Sequence, residues 1–247
     1  MAKLIKLGII FHLLLQATAS IRGDEALCPF NTGDRILFIG DSITDMNRGR
    51  NEDPNHILGH SYVFLIAAQI GKNYPEKDLT FINRGVSGDG IKELSDRWEN
   101  DVLALKPNVL SVLVGINDLL KSYWNHQEPD LTRFESIYSD LLESVKTEDP
   151  DVKIVLCCPF ILPGHHTNDD WLRWQREVHS LETILERLSK KYHACLIALQ
   201  PEFNNAAKLD VSDDYWIWDG IHPTYRGQQL IADEWMKRYS EFAQKEF

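Results

Sequence analysis

The chain has 247 residues, 43% of them hydrophobic and 26% charged, the balance of a soluble globular protein built on one sizeable core. Its formal net charge of −11 and pI near 5.3 repel phosphate backbones and anionic lipid surfaces, which argues against nucleic-acid partners and loose membrane adsorption. Neutral or weakly charged substrates, such as sugars and their esters, suit this field better.

Lys3 and Lys6 precede an apolar run from Leu7 to Leu15, interrupted by His12, and Ala17-Thr18-Ala19 follows with small residues. This is the layout of a secretory signal peptide over residues 1–20, with cleavage expected near Ala19 or Ser20. The run is shorter than the roughly 20 residues a membrane span needs, so no stable membrane insertion is expected after cleavage; a short uncleaved membrane anchor is the alternative reading. A secreted or periplasmic location follows. Residues 21–33 read as a linker and 34–247 as one domain.

From there strands and helices alternate. Arg35–Ile39 reads as a buried strand, Ser61–Ile70 as a helix and Leu79–Asn83 as a second strand. Ile91–Leu105 reads as one helix, with Leu94, Trp98, Val102 and Leu105 on a single face. Val109–Val114 is a third strand, Phe134–Val145 a helix, Val152–Cys158 a fourth strand and Trp171–Tyr192 a long amphipathic helix. Ala194–Ala198 is a fifth strand, and Tyr225–Phe242 closes the chain as a helix. Short apolar strands between helices predict an α/β fold: a five-stranded parallel sheet in a three-layer α/β/α sandwich. Of the four cysteines, the adjacent Cys157 and Cys158 point to opposite faces of a strand and do not pair with each other. No Cys/His spacing resembles a zinc site, so no metal is expected. His165-His166 reads as surface or substrate rim.

In such a sheet, functional loops lie beyond the carboxyl ends of the strands. Ser42 follows the first strand in Gly40-Asp41-Ser42, Gly88 the second and Asn117 the third. Asp219 and His222 sit in Trp218-Asp219-Gly220-Ile221-His222-Pro223, before the last helix. Taken alone, Asp41-Ser42 reads more readily as a helix cap than as a nucleophile. Taken together, the segments form a nucleophile system. His222 can accept the Ser42 proton, and Asp219, three residues earlier, can hold the ring tautomer. Backbone N–H groups of Ser42 and Gly88 and the Asn117 amide can face a developing oxyanion.

These ordered segments resemble the four Ser, Gly, Asn and His blocks of the SGNH hydrolases, also called the GDSL esterase/lipase family. The likeness runs from about Arg35 to the C-terminus. It implies a flavodoxin-like fold and cofactor-free, metal-free ester hydrolysis. Ser42, Asp219 and His222 would be catalytic, and Ser42, Gly88 and Asn117 would form the oxyanion hole. FIGDSITD, NRGVSGDGIKEL, GINDLLKSYW and WDGIHPT also resemble the branch containing acetylxylan esterases and related carbohydrate deacetylases. Its partners would be small-molecule or oligosaccharide esters. Trp124, Trp216 and Trp218 are candidate substrate-binding aromatics, while Trp98 belongs to the core. No long apolar insertion resembles a lipase lid, which favours short acyl groups. A lysophospholipase, thioesterase or broad carboxylesterase on the same scaffold is the alternative, and a non-catalytic carbohydrate-binding module a more remote one. Nothing in the sequence sets an oligomeric state.

Overall fold

The computed structural model describes residues 28–246, so the signal peptide read over 1–20 and its cleavage site lie outside the described residues. In chain order the elements are β1 (Arg35–Gly40), α1 (Ser42–Asp45), α2 (Tyr62–Asn73), β2 (Thr80–Gly85), α3 (Ile91–Asp96), α4 (Trp98–Asp101) and β3 (Val109–Leu113). There follow α5 (Ile116–Trp124), α6 (Leu131–Glu148), β4 (Lys153–Cys157), α7 (Trp171–Tyr192), β5 (Cys195–Ile197), α8 (Gln200–Ala206) and α9 (Tyr225–Glu246). The five strands form one parallel sheet in the order β2-β1-β3-β4-β5.

The register matters for function. Gly40 pairs with Gly85 and with Leu113, Leu113 with Cys157, and Cys157 with Ile197. All five strands therefore finish on one row, and every loop that follows a strand opens on the same edge. The central strands β1, β3 and β4 are mostly apolar and buried because both faces are covered, whereas the edge strand β2 carries Asn83 and Arg84. On one face Phe38 packs edge-to-face on Tyr62 of α2 and against Trp235 of α9. The indole N–H of Trp235 donates to Ser111 Oγ at 3.0 Å, so the polar strand residue on that face has its partner. On the other face Trp98 donates to Ser144 of α6, and α6 packs on α3 and α7. This is the expected three-layer arrangement.

Strand ends differ from the sequence reading by one or two residues, because pairing rather than hydrophobicity ends a ladder. Ser61 and Asp130 cap α2 and α6 through side-chain bonds to Val63 N and Arg133 N. The stretch read as one helix over Ile91–Leu105 is instead broken at Arg97, which carries φ −116° and ψ 5°, and again at Val102. The break frees the Arg97 side chain to turn into the strand ends while Trp98 enters the core. Three short helices were not foreseen: α1, α5 and α8. Phe30, in the stretch read as a linker, is buried and stacks on Tyr239 with rings 5.0 Å apart, so packing begins before residue 34. Cys157, Cys158 and Cys195 are buried free thiols, and burial raises the pKa of each. Cys28 is also free.

Candidate active site

β1 delivers the chain to the edge at Gly40, and Asp41 caps α1 by accepting a hydrogen bond from Ile43 N at 2.9 Å. The cap reading of Asp41-Ser42 is therefore correct for Asp41. Ser42 is the first residue of α1, where its backbone N–H has no intrahelical acceptor. Its Oγ lies 2.9 Å from His222 Nε2, although 180 residues separate the two.

Asp219 organises His222 in two ways. Its Oδ2 is 2.7 Å from His222 Nδ1, and its Oδ1 accepts the backbone N–H groups of Ile221 at 3.0 Å and His222 at 2.8 Å. One carboxylate thus sets both the ring and the turn that carries it. The hydrogen bond that His222 donates to the Asp219 carboxylate raises the His222 pKa, and burial opposes this only in part. Burial pushes the Asp219 carboxyl up, but the bonds from His222 and Ile221 outweigh it and hold it below the usual carboxylate range. The pair therefore favours an imidazolium next to a carboxylate, the state a general base needs after taking a proton.

The loop after β4 braces this turn. Leu162 N donates to Gly220 O at 3.1 Å and His166 N to Asp219 O at 2.9 Å. The His166 ring also approaches the same carboxylate, with Nε2 3.6 Å from Asp219 Oδ2. His166, read from the sequence only as surface or rim, thus lies beside the site. His165 packs edge-to-face on it.

Gly88 follows β2 at φ +89°, a left-handed conformation that a side chain disfavours, and a Cβ there would meet only open space. Glycine is required by the backbone at this position, not by crowding. Gly88 N–H has no protein acceptor among the described residues. Asn117 lies in the first turn of α5 rather than at the strand end itself. Its Nδ2 donates to Asp89 O at 3.0 Å, which holds one amide hydrogen and leaves the second for another acceptor. The Asp118 carboxylate accepts from Ile91 N, and burial pushes its pKa up to about 6.

Two groups were missed. Asp41 is buried, and that burial pushes its carboxyl up to about 7 against the pull of Ile43 N–H and His222. Arg97 reaches under the Gly88 loop to Asp89. Asp41 stood within a motif already read and Arg97 within a stretch already read as helix, but a capping aspartate and a helix arginine carry no periodic signal of their own.

The aromatic candidates separate. Trp218 is 64% exposed and lies over His222 with ring centroids 6.2 Å apart. Trp216 packs against the core and edge-to-face on Tyr215, because the Ile217–Pro223 bridge draws this segment under the start of α9. Trp124 is 61% exposed but ends α5, about 10 Å along the helix axis from Asn117. Among the described residues no group of three or more His, Cys, Asp or Glu side chains is placed to hold a metal ion, and no helix is long and apolar enough to cross a membrane.

A parallel α/β sandwich that brings a Ser-His-Asp constellation and two amide donors to the carboxyl edge of its sheet has the architecture of an SGNH-type hydrolase. The chain belongs to the GDSL-like lipase/acylhydrolase family, whose profile matches residues 38–230. It is 29% identical to an acetylxylan esterase of Geobacillus stearothermophilus over 214 residues, 83% of this chain and 94% of that one. A crystal structure of a GDSL-like lipase from Parabacteroides merdae superposes with a TM-score of 0.80 at 33% identity, covering 85% of this chain and 97% of that one. A catalytic mutant of the Geobacillus esterase, with a histidine changed to alanine, superposes with a TM-score of 0.76 at 28% identity, covering 85% of this chain and 96% of that one. Further catalytic mutants of that enzyme carry the change at a serine and at an aspartate. The chain is a carboxylic ester hydrolase of the acetylxylan esterase branch.

Proposed function

We propose that this protein is a serine esterase that removes short acyl groups, acetate foremost, from carbohydrate hydroxyls, with Ser42 as nucleophile. The observation that carries the reading is the unbroken contact from Asp219 Oδ2 through His222 to Ser42 Oγ, at 2.7 Å and 2.9 Å. His222 Nε2 takes the Ser42 proton as Oγ attacks the ester carbonyl. Ser42 N–H, Gly88 N–H and the free Asn117 amide hydrogen stabilise the oxyanion. His222 returns the proton to the leaving alcohol. A water deprotonated by His222 then attacks the acyl-serine and releases the acid.

Two features support a sugar ester. Trp218 offers an exposed ring beside His222, where a pyranose leaving group can stack. Relatives of this branch are acetylxylan esterases. Export through the N-terminal segment would place the enzyme where polysaccharides are met, and N-terminal sequencing of the exported protein tests that part.

The decisive experiment compares wild type with Ser42→Ala on p-nitrophenyl acetate and octanoate, and on acetylated xylo-oligosaccharides. The wild type should prefer acetate and release it from the oligosaccharide, and the variant should be inactive with an unchanged circular dichroism spectrum. Turnover retained in Ser42→Ala would refute the nucleophile. A preference for octanoate would move the substrate to a lipid ester.

A further inference from the structure

We infer that Arg97 is a positioning residue for the oxyanion hole, a pin that ties all three proposed donors to the sheet. The inference rests on the reading of Ser42, Gly88 and Asn117 given above. Arg97 stands where the helix after β2 breaks, and its guanidinium is largely buried. It makes four hydrogen bonds. Nε donates to Asp89 Oδ2 at 2.7 Å, Nη1 to Arg84 O at 2.7 Å and Asp101 Oδ2 at 2.8 Å, and Nη2 to Gly40 O at 3.2 Å.

Each partner leads to a donor. Gly40 ends β1, two residues before Ser42. Arg84 lies near the end of β2, four residues before Gly88. Asp89 directly follows Gly88, and its carbonyl accepts the Asn117 side chain. One planar group therefore sets the strand ends and the Gly88–Asp89 segment in a fixed relation, and Asn117 inherits its position from Asp89.

The other flank of the Gly88 loop is held from α1. Asp45 Oδ2 accepts Ser87 N at 3.1 Å and Ser87 Oγ at 2.9 Å, and Arg48 Nε donates to Gly85 O at 2.8 Å. With Ser87 held from one side and Asp89 from the other, Gly88 has little freedom to turn its N–H away. The charge of Arg97 also has a purpose. Burial raises the pKa of Asp89, and the bond from Arg97 counters this. Without the guanidinium, a buried carboxylate would stand unpaired beside the place where negative charge develops. Lysine cannot substitute, because a single ammonium lacks the planar fork that meets four acceptors.

The expected consequence is a loss in kcat with little change in KM, since the donors act on the oxyanion rather than on the bound ester. Acylation and deacylation both pass through an oxyanion, so kcat reads the loss whichever step limits. Arg97→Ala and Arg97→Lys are assayed on p-nitrophenyl acetate beside Ser42→Ala and Asp89→Asn. Both Arg97 variants should lose on the order of 100-fold in kcat, the scale of a misplaced catalytic group, with KM within about threefold. Methylguanidinium in the buffer should restore part of the kcat of Arg97→Ala, and methylammonium should not. A folded Arg97→Lys with kcat within about threefold of wild type, or a loss in Arg97→Ala that methylguanidinium and methylammonium relieve equally, overturns the inference. If Arg97→Ala does not fold, Asp89→Asn decides. It keeps the carbonyl that Asn117 uses and loses the charged bond, so it should lower kcat at least tenfold, and wild-type kcat overturns the inference. An inactive Ser42→Ala beside a fully active Arg97→Lys defeats the pin alone, whereas an active Ser42→Ala defeats the underlying site.

Discussion

Gly164→Ala tests whether the loop after β4 sets the position of Asp219, the proposed triad carboxylate. A Cβ built on Gly164 falls 2.2 Å from Gly220 N, 2.4 Å from the Asp219 carbonyl carbon and 2.6 Å from Gly220 Cα. All three are backbone atoms, so no side chain can swing aside. Ordinary contact begins at 3.4 Å, so one of the two loops must retreat by about 1 Å. The Leu162–Gly220 and His166–Asp219 bonds stitch the loops together, and the strain passes to Asp219. A shift of that size separates Asp219 Oδ2 from His222 Nδ1, now at 2.7 Å. Overpacking of this kind costs about 1–3 kcal/mol of stability. For a chain of this size each kcal/mol lowers Tm by roughly 2–4 °C. Misplacing a catalytic group by about 1 Å costs on the order of 100-fold in rate. The assay pairs kcat on p-nitrophenyl acetate with a thermal melt. A variant that melts like wild type and keeps its kcat would show that the two loops are not rigidly coupled, and would refute the reasoning.

Asp219→Asn removes the main cause of the raised His222 pKa, so the acid limb of the kcat/KM–pH profile should move to lower pH. Its kcat should fall by roughly 10⁴-fold, the scale seen when a triad carboxylate is lost, and an unmoved limb in an impaired variant would contradict the assignment. Asp41→Asn should stabilise the fold. The Asp41 pKa is raised from 3.8 to about 7, so this group favours folding below pH 3.8 and loses that contribution as pH rises through about 7. The advantage of the asparagine variant over wild type should therefore grow between about pH 4 and 7 and level off above, with an upper bound of roughly 4 kcal/mol. Denaturant midpoints at pH 5 and 8 measure it, and an equal difference at both pH values would exclude a buried, proton-binding Asp41.

Much of the fold was legible because a parallel sheet covered on both faces demands unbroken apolar strands, and RILFI and VLSVL announce themselves. The bounds of α7 were read from its amphipathic period without error. The helix α5 was missed although Ile116, Leu119 and Leu120 recur at helical spacing, because the preceding strand and Asn117 were read as strand and loop. The break at Arg97 could not be read at all. Leu94, Trp98, Val102 and Leu105 keep a helical period, and the carbonyls of β1 and β2 together with the Asp89 carboxylate draw Arg97 out of it.

The sequence alone determined which chemical groups the protein owns and in what order they follow the strands. Asp219 and His222 lie three residues apart, so their contact is local and visible in the text of the chain. The tertiary structure decided what is far apart in sequence: that Ser42 Oγ meets His222 across 180 residues, that Trp218 rather than Trp216 faces the site, and that Asp41 is stripped of water. The physical reason is that these properties depend on burial and on the shared strand-end row. Both arise only when five separate segments pair in one register.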